Sequence, residues 1–267
     1  MMNDGDLPLS PNVEMENRLI EDAIRRQARD GRTLQILEAG CGQRWSLNMK
    51  GINYVLTGVD LDRDALNIRK NVEKDLHEGI HGDLRTVDLG GRKFDVIYCA
   101  FVLEHVADAE QVLRRFVEWL RPNGVIVLTI PDPLSAHGFV TRFSPHWLHV
   151  LYYRWVQGYK DAGKPGCPPY PVEYDPIVSR GGIKEFCAAH GLSVEVELGD
   201  GYIRPGRGLM KVAVASAKMA LHLVSFGRLS HRHTNLLYML RLPEKRDVPQ
   251  TGMQMAPSTL RGAVRGA

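Results

Sequence analysis

Apolar residues recur along this chain at two periods, and the alternation of those periods sets out its organisation. Val13, Leu19, Ile20, Ala23, Ile24 and Ala28 fall on one side of a helix over residues 13–29. Compact apolar runs at 34–37 and 54–59 read as buried strands. The helical period returns over 62–76, with Asp62 as its cap and Leu66, Ile68, Val72 and Leu76 on its apolar face. A short strand at 79–81 precedes the run Phe94-Asp-Val-Ile-Tyr-Cys99, apolar except for Asp95 and Tyr98. A helix over 109–120 follows, then a Pro-Asn-Gly turn at 122–124 and a buried strand at 125–130. Ser179 to His190 reads as a helix stopped by Gly191, and strands follow at 194–197 and 236–242. Strand and helix alternating through seven strands predict an α/β fold: a doubly wound, mostly parallel seven-stranded sheet. One domain is expected over 1–249, with a core at 13–133, an insertion at 134–178 and a closing unit at 179–243. Residues 250–267 are polar and Gly/Pro/Arg-rich, and disorder is expected there.

The chemistry concentrates where the first two strands end. Leu37-Glu-Ala-Gly-Cys-Gly42 is a glycine turn, and Asp60 ends the next strand twenty positions after Gly40. Glycines let backbone approach a ligand, and an acid at the neighbouring strand tip can accept both hydroxyls of a ribose. A dinucleotide fingerprint wants a third glycine where this chain has Trp45. Glu38 before the turn would repel a pyrophosphate but suits an ammonium group. An amine and a ribose without phosphate describe S-adenosylmethionine.

Composition narrows the setting without changing it. The 267 residues carry a formal net charge of +3 and 44% hydrophobic content, ordinary for a soluble globular chain. Basic residues are spread along the chain apart from a basic carboxyl-terminal quarter, which disfavours a nucleic-acid binder. Cys41, Cys99, Cys167 and Cys187 show no paired spacing and read as thiols in a reducing compartment. No metal-ligand set stands out. The polar start of the chain lacks a signal-peptide pattern, so the cytoplasm is expected.

Six motifs in order resemble the class I S-adenosylmethionine-dependent methyltransferases, in the broad family with Leu-Glu-His-Val after the fourth strand. They are Leu37-Glu-Ala-Gly-Cys-Gly42, Gly58-Val-Asp-Leu-Asp62, Gly82-Asp-Leu84, Phe94-Asp-Val-Ile97, Val102-Leu-Glu-His-Val106 and Leu120-Arg-Pro-Asn-Gly124. The resemblance covers about the first half of the chain and implies a Rossmann-like methyltransferase fold. It implies that Glu38, Gly40, Cys41 and Gly42 wrap the methionine part of the cofactor and that Asp60 holds the ribose. Leu61 would pack on adenine, Asp83 and the Leu84 amide would meet its polar edge, and backbone at Cys99 and Ala100 would meet the methionine ammonium. Residues 43–53 depart from the family pattern, being polar where relatives carry a smooth apolar helix, and a short or distorted helix is expected.

The insertion at 134–178 is rich in His, Trp, Tyr and Pro and is expected to cover the ligand edge as a lid. The apolar helix expected at 209–226, with Lys211, Lys218 and His222, would pack under the lid, form a homodimer contact or lie on a membrane surface. The expected reaction is methyl transfer to a hydroxyl of a small-molecule acceptor of sugar, saccharide or natural-product type, releasing S-adenosylhomocysteine. Alternatives are a lipid-linked or quinone-type acceptor at the membrane surface, or a non-catalytic nucleoside-binding partner subunit. Methylation of DNA adenine or of glutamine would call for an Asn/Asp-Pro-Pro-aromatic motif where Cys99-Ala-Phe-Val102 stands. A hydroxyl acceptor must lose a proton, and histidine is the usual agent at neutral pH. His146, between a proline and a tryptophan, is placed first, His137 just past the fifth strand second, and His105 third. Asp132, between two prolines, reads as a loop cap or as a ligand for a metal or hydroxyl.

Overall fold

The computed structural model describes residues 7–28, 31–155, 158–164, 167, 169–173, 175–200 and 209–244. The disorder expected at 250–267 lies outside the described residues. The strands are β1 (Leu9–Ser10), β2 (Leu34–Ala39), β3 (Tyr54–Asp60), β4 (Glu78–His81), β5 (Phe94–Ala100), β6 (Leu120–Pro131), β7 (Ser193–Asp200) and β8 (Asn235–Arg241). They form one sheet in the order β1-β7-β8-β6-β5-β2-β3-β4. All neighbouring pairs are parallel except β6·β8 and β7·β8. The expected seven-stranded sheet is thus eight-stranded: β1 adds a two-residue parallel edge against β7, too short to leave a periodic signal.

The helices are α1 (Val13–Gln27), α2 (Arg63–Asn67), α3 (Ala109–Trp119), α4 (Ala136–Phe143), α5 (His146–Trp155), α6 (Arg180–His190) and α7 (Leu209–Val224). Alternate strand positions feed two cores, as double winding requires. Leu34, Ile36 and Leu56 meet Ile20 and Ile24 of α1 on one face. Leu37, Ile97 and Ile126 meet Val112 and Phe116 of α3 and Phe186 of α6 on the other. Asp95, fully buried at the foot of β5, is held by Arg32 at 2.6 Å, Arg121 at 2.8 Å and the Gln35 amide at 2.8 Å.

Two crossovers depart from the sequence expectation. No helix at all joins β2 to β3; residues 43–53 run as turns and loop, because their polar pattern offers no apolar stripe to bury. The helix expected over 62–76 starts on Asp62, which caps Asp64 and Ala65, but after Asn67 it widens into a π-helix over Ile68–Glu73. That segment carries Arg69, whose side chain is 0% exposed. Its guanidinium donates to Glu38 at 2.8 Å, to the Cys41 carbonyl at 2.6 Å and to Asp75 at 2.7 Å. Between α3 and the straight part of β6, residues 121–124 form a bulge in the β5·β6 ladder, with Asn123 in the left-handed region.

After β5 the chain makes a 3-10 turn, Leu103–His105. It buries Glu104, whose Oε2 has no hydrogen-bond partner. Burial pushes this carboxyl up to about 7. A folded-state pKa above the unfolded one adds stability that is present at low pH and lost as pH rises through about 7. Urea unfolding should therefore show stability falling by up to about 3 kcal/mol from this group between about pH 4 and about pH 8. In Glu104→Gln the share of that fall due to Glu104 should vanish, leaving the share of Glu38, which burial raises alike; an unchanged pH profile would remove Glu104 as a source. Arg69→Met should cost about 3–5 kcal/mol, since it strands buried Glu38 without its partner. Adding Glu38→Gln to that variant should recover part of the loss in a double-mutant cycle.

Candidate functional site

β2 and β5 lie side by side, and the chain leaves them in opposite directions across the sheet: β2 towards β3, β5 towards β6. Their carboxyl ends form the switch point where such sheets bind ligands. The glycine turn after β2 occupies one side. Gly40 is left-handed at φ +70, and a Cβ there would meet Val102 Cγ2 at 2.3 Å. Gly42, at φ +52, faces open space instead. No side chain could stand at the first position, and at the second the backbone stays open to a ligand.

At the tip of β3, Asp60 accepts from the Gly42 amide at 2.8 Å through Oδ2 and from the Asp62 amide at 2.8 Å through Oδ1. The carboxylate is fixed by backbone and keeps further lone pairs for ribose hydroxyls. Leu61 beside it is 67% exposed, an apolar surface suited to a flat base. At the tip of β4, Asp83 is engaged with Arg85, whose Nη2 donates at 2.6 Å, and this bond holds the Asp83 carboxyl below its ordinary range. An adenine amino group would share or displace Arg85. Leu84 is buried below it. Tyr170 of the insertion lies close enough to Asp62 and Asp60 for their charges to raise its phenol pKa, after burial.

Glu38 does not stand open. Its carboxylate is buried against Arg69, and burial pushes it up to about 7 against the pull of that arginine. The Cys41 thiol is pushed up to about 12, by burial first and then by Glu38 and Asp60, so it packs as a neutral group. Its sulfur lies against Gly58, where a Cβ would be 2.8 Å away. Cys99 is buried and its thiol is also raised by burial. Ala100 is half-buried at the strand end. Phe101 then adopts φ +58, a strained conformation for a non-glycine residue, and donates its amide to the Thr129 carbonyl at 2.8 Å.

Beyond Ala100 a cavity of about 230 Å³ opens between α1 and the carboxyl edge of the sheet. Val13, Ile20, Tyr98, Phe101 and Leu237 supply apolar wall, while Glu16, Asn17, Thr129, Asp200 and Asn235 supply polar groups. Asp200 accepts from the Thr234 amide at 2.6 Å and the Asn235 amide at 2.9 Å, and Asn235 Nδ2 donates to it at 2.6 Å. Sequence reasoning missed these residues. Asp200 and Asn235 end β7 and begin β8, and the antiparallel turn of β8 alone brings those ends to the ligand edge.

None of the three candidate histidines lines the cavity. His137, early in α4, lies within the field of Asp200, Lys218 and His149. Crowding lowers its pKa, Lys218 lowers it further, and Asp200 opposes both. Lys218 of α7 donates to Thr234 Oγ1 at 2.9 Å. His146 begins α5, a helix with no buried residue, and packs edge-on to His149 at 6.0 Å between ring centres. His105 donates through Nδ1 to the Pro171 carbonyl at 2.6 Å and meets Tyr170 edge-on, an arrangement that ties the insertion to the segment after β5. Asp132 is a loop cap and more: Oδ1 accepts from the Leu134 amide, while Oδ2 lies 2.7 Å from His233 Nε2. His233 Nδ1 in turn lies 3.0 Å from Ser230 Oγ, and all three are buried. Among the described residues no cluster of His, Cys, Asp or Glu could hold a metal ion.

Comparison with known proteins agrees with this geometry. The profile described as a methyltransferase domain matches residues 13–165, more than half of the chain. A ubiquinone biosynthesis O-methyltransferase from Haemophilus ducreyi is 31% identical over 127 residues, covering 44% of this chain and 54% of its own length. A demethylmenaquinone methyltransferase from Listeria monocytogenes is 29% identical over 124 residues, covering 43% of this chain and 52% of its own. The chain thus spans about half the length of these curated relatives. Among solved structures, a protein from Galdieria sulphuraria assigned as a sarcosine dimethylglycine methyltransferase matches with a TM-score of 0.50. At 14% identity, over 85% of this chain and 86% of that one, the likeness shows the fold alone. The chain belongs to the methyltransferase-domain family, and its sheet is that of a class I S-adenosylmethionine-dependent methyltransferase.

Proposed function

We propose that the protein methylates a hydroxyl on a small, flat, largely apolar acceptor of quinone type, with S-adenosylmethionine as donor. One observation carries this reading: a ribose-ready carboxylate at Asp60 and an apolar-walled cavity at Ala100 and Phe101 flank the same switch point. The donor's adenosine would lie over Leu61 and Asp60, and its methionine part against the glycine turn and Ala100. When bound, it supplies an electrophilic methyl on a sulfonium sulfur.

The residues of this chain would then do three things. The walls from Val13, Ile20, Tyr98 and Leu237 would seat the acceptor ring and exclude water. Thr129, Asp200 and Asn235 would orient its oxygen edge by hydrogen bonds, and a sugar would leave the apolar walls wet. His137, which lies near Asp200 rather than in the cavity wall, would take the hydroxyl proton through a bridging water as the oxygen–carbon bond forms and the carbon–sulfur bond breaks, handing it on to solvent. His137 moves ahead of His146 because it shares the field of cavity-lining Asp200, whereas His146 sits on a helix that buries nothing. The names of the relatives, a ubiquinone O-methyltransferase and a demethylmenaquinone methyltransferase, support a quinone-type ring over a sugar.

Asp60→Ala should weaken S-adenosylhomocysteine binding by about 1.5–3 kcal/mol in calorimetry. Unchanged affinity would take Asp60 out of the site. In turnover assays on a catechol-type acceptor, His137→Gln should lower the rate by about a hundredfold or more with cofactor affinity kept. The base works only when neutral, and its pKa lies below the ordinary histidine value of about 6.5. The wild-type rate should accordingly rise with pH and level off before neutrality, and His137→Gln should lose that rise. Normal turnover in His137→Gln would overturn the assignment of the base.

A further inference from the structure

The two insertions after β6 and β7 share a property that methyl transfer does not use. Residues 133–160 contain no Asp or Glu, and neither do residues 201–243. These stretches do contain Arg142, Arg154, Lys160, Lys218, Arg228 and Arg232. The same stretches form α4, α5 and α7, and α4 packs against α7. Ser144 Oγ lies 2.7 Å from His149 Nε2, joining α4 to α5.

This joined surface is apolar where a water-facing surface should be polar. The sequence of α5, His-Trp-Leu-His-Val-Leu-Tyr-Tyr-Arg-Trp, is apolar nearly all round, yet the helix has no buried residue. Trp155 is 82% exposed, and Trp147 and Phe143 are exposed beside it. Leu223 and Val224 are exposed at the end of α7, and Phe226 just past it is 94% exposed. Scattered apolar residues on a surface need no explanation, but large aromatic and aliphatic side chains on three neighbouring helices do. Among the described residues no helix is long and apolar enough to cross a membrane, so the face lies on what covers it.

We propose that the α4–α5–α7 face docks on an anionic lipid surface, with the aromatic and aliphatic side chains at the level of the acyl boundary and the arginines among the headgroups. Trp and Tyr suit that boundary, having an apolar body and a polar edge. Charge separates this occupant from a second copy of the chain. A twofold contact would set helices without acids of their own against their copies, Asp161 beside Arg154 being an acid at the margin, and like charges would oppose it. An anionic bilayer complements the same surface. The inference stands apart from the methyl-transfer reading, since it uses neither donor nor acceptor.

Vesicle flotation tests it without any substrate. The full chain should float with vesicles of mixed phosphatidylcholine and phosphatidylglycerol, and far less with phosphatidylcholine alone. Raising salt from about 0.1 M to about 1 M should weaken the binding, because screening shortens the reach of the arginines. Trp155→Ser and Phe226→Ser, both on exposed side chains, should each weaken partitioning about tenfold while the thermal unfolding midpoint stays put. Arg228→Glu should weaken binding to the anionic vesicles only. No flotation with anionic vesicles would overturn the proposal, as would equal binding to neutral ones or undiminished binding by the two aromatic variants. A dimer in sedimentation velocity that dissolves in Trp155→Ser, with no vesicle binding by the wild type, would assign the face to a second copy instead.

Discussion

A guanidinium sealed from water underlies the donor half of this molecule. Burying an arginine is costly unless each of its donors finds an acceptor, and Arg69 finds three: Glu38 at the end of β2, the Cys41 carbonyl in the glycine turn, and Asp75 beyond its own helix. The tie matters because of what is absent around it. In most sheets of this kind the turn after the first core strand flows into a helix that holds it from above. Here residues 43–53 form none, and the turn would have little beyond the Val59 carbonyl and Asp60 to fix it. Arg69 supplies the missing support from below. The π-helical segment that bears it and the glycines that admit close packing, Gly40 against Val102 and Gly58 against Cys41, belong to the same arrangement.

Much of the donor half was legible in the sequence because its information is local. Strand ends, the glycine turn, Asp60, Leu61 and the Asp62 cap are each written within a few residues, and β-periodicity alone places them on one edge. The π-helical break was not legible, since Ile68, Val72 and Leu76 continue a helical stripe that the structure interrupts. Glu38 was legible as an acid before the glycine turn but not as the buried partner of an arginine thirty-one positions away. The acceptor half resisted for a different reason. Its polar groups, Asp200 and Asn235, meet only through the order of the last three strands, and no window of sequence contains that order. His146 was placed first because proline and tryptophan flank it. The charges of Asp200 and Lys218 near His137 depend instead on the packing of α4 against α7, which no window of sequence contains.

The two halves of the sheet are also built to different standards. On the β2, β3 and β4 side backbone amides fix Asp60, while arginines hold Glu38 and Asp83. On the β6, β7 and β8 side the Thr234 and Asn235 amides hold Asp200, and a chain of buried side chains lies beside them. Asp132, His233 and Ser230 link the tip of β6 to the approach to β8, and Ser135 bridges to Ser230 beside them.

The edge strand β1 gives the cavity beyond Ala100 an unequal pair of walls. One wall is the sheet itself, held by long ladders. The other is α1, which contributes Val13, Glu16, Asn17 and Ile20 and is anchored at its start by Leu9 and Ser10 against Gly199 and Asp200. A parallel ladder of two residues is the least costly in the sheet to part, and the amino-terminal end of α1 rests on it. That short ladder ends at Asp200, so the amino-terminal end of α1 and the carboxylate that orders the cavity floor rest on one support.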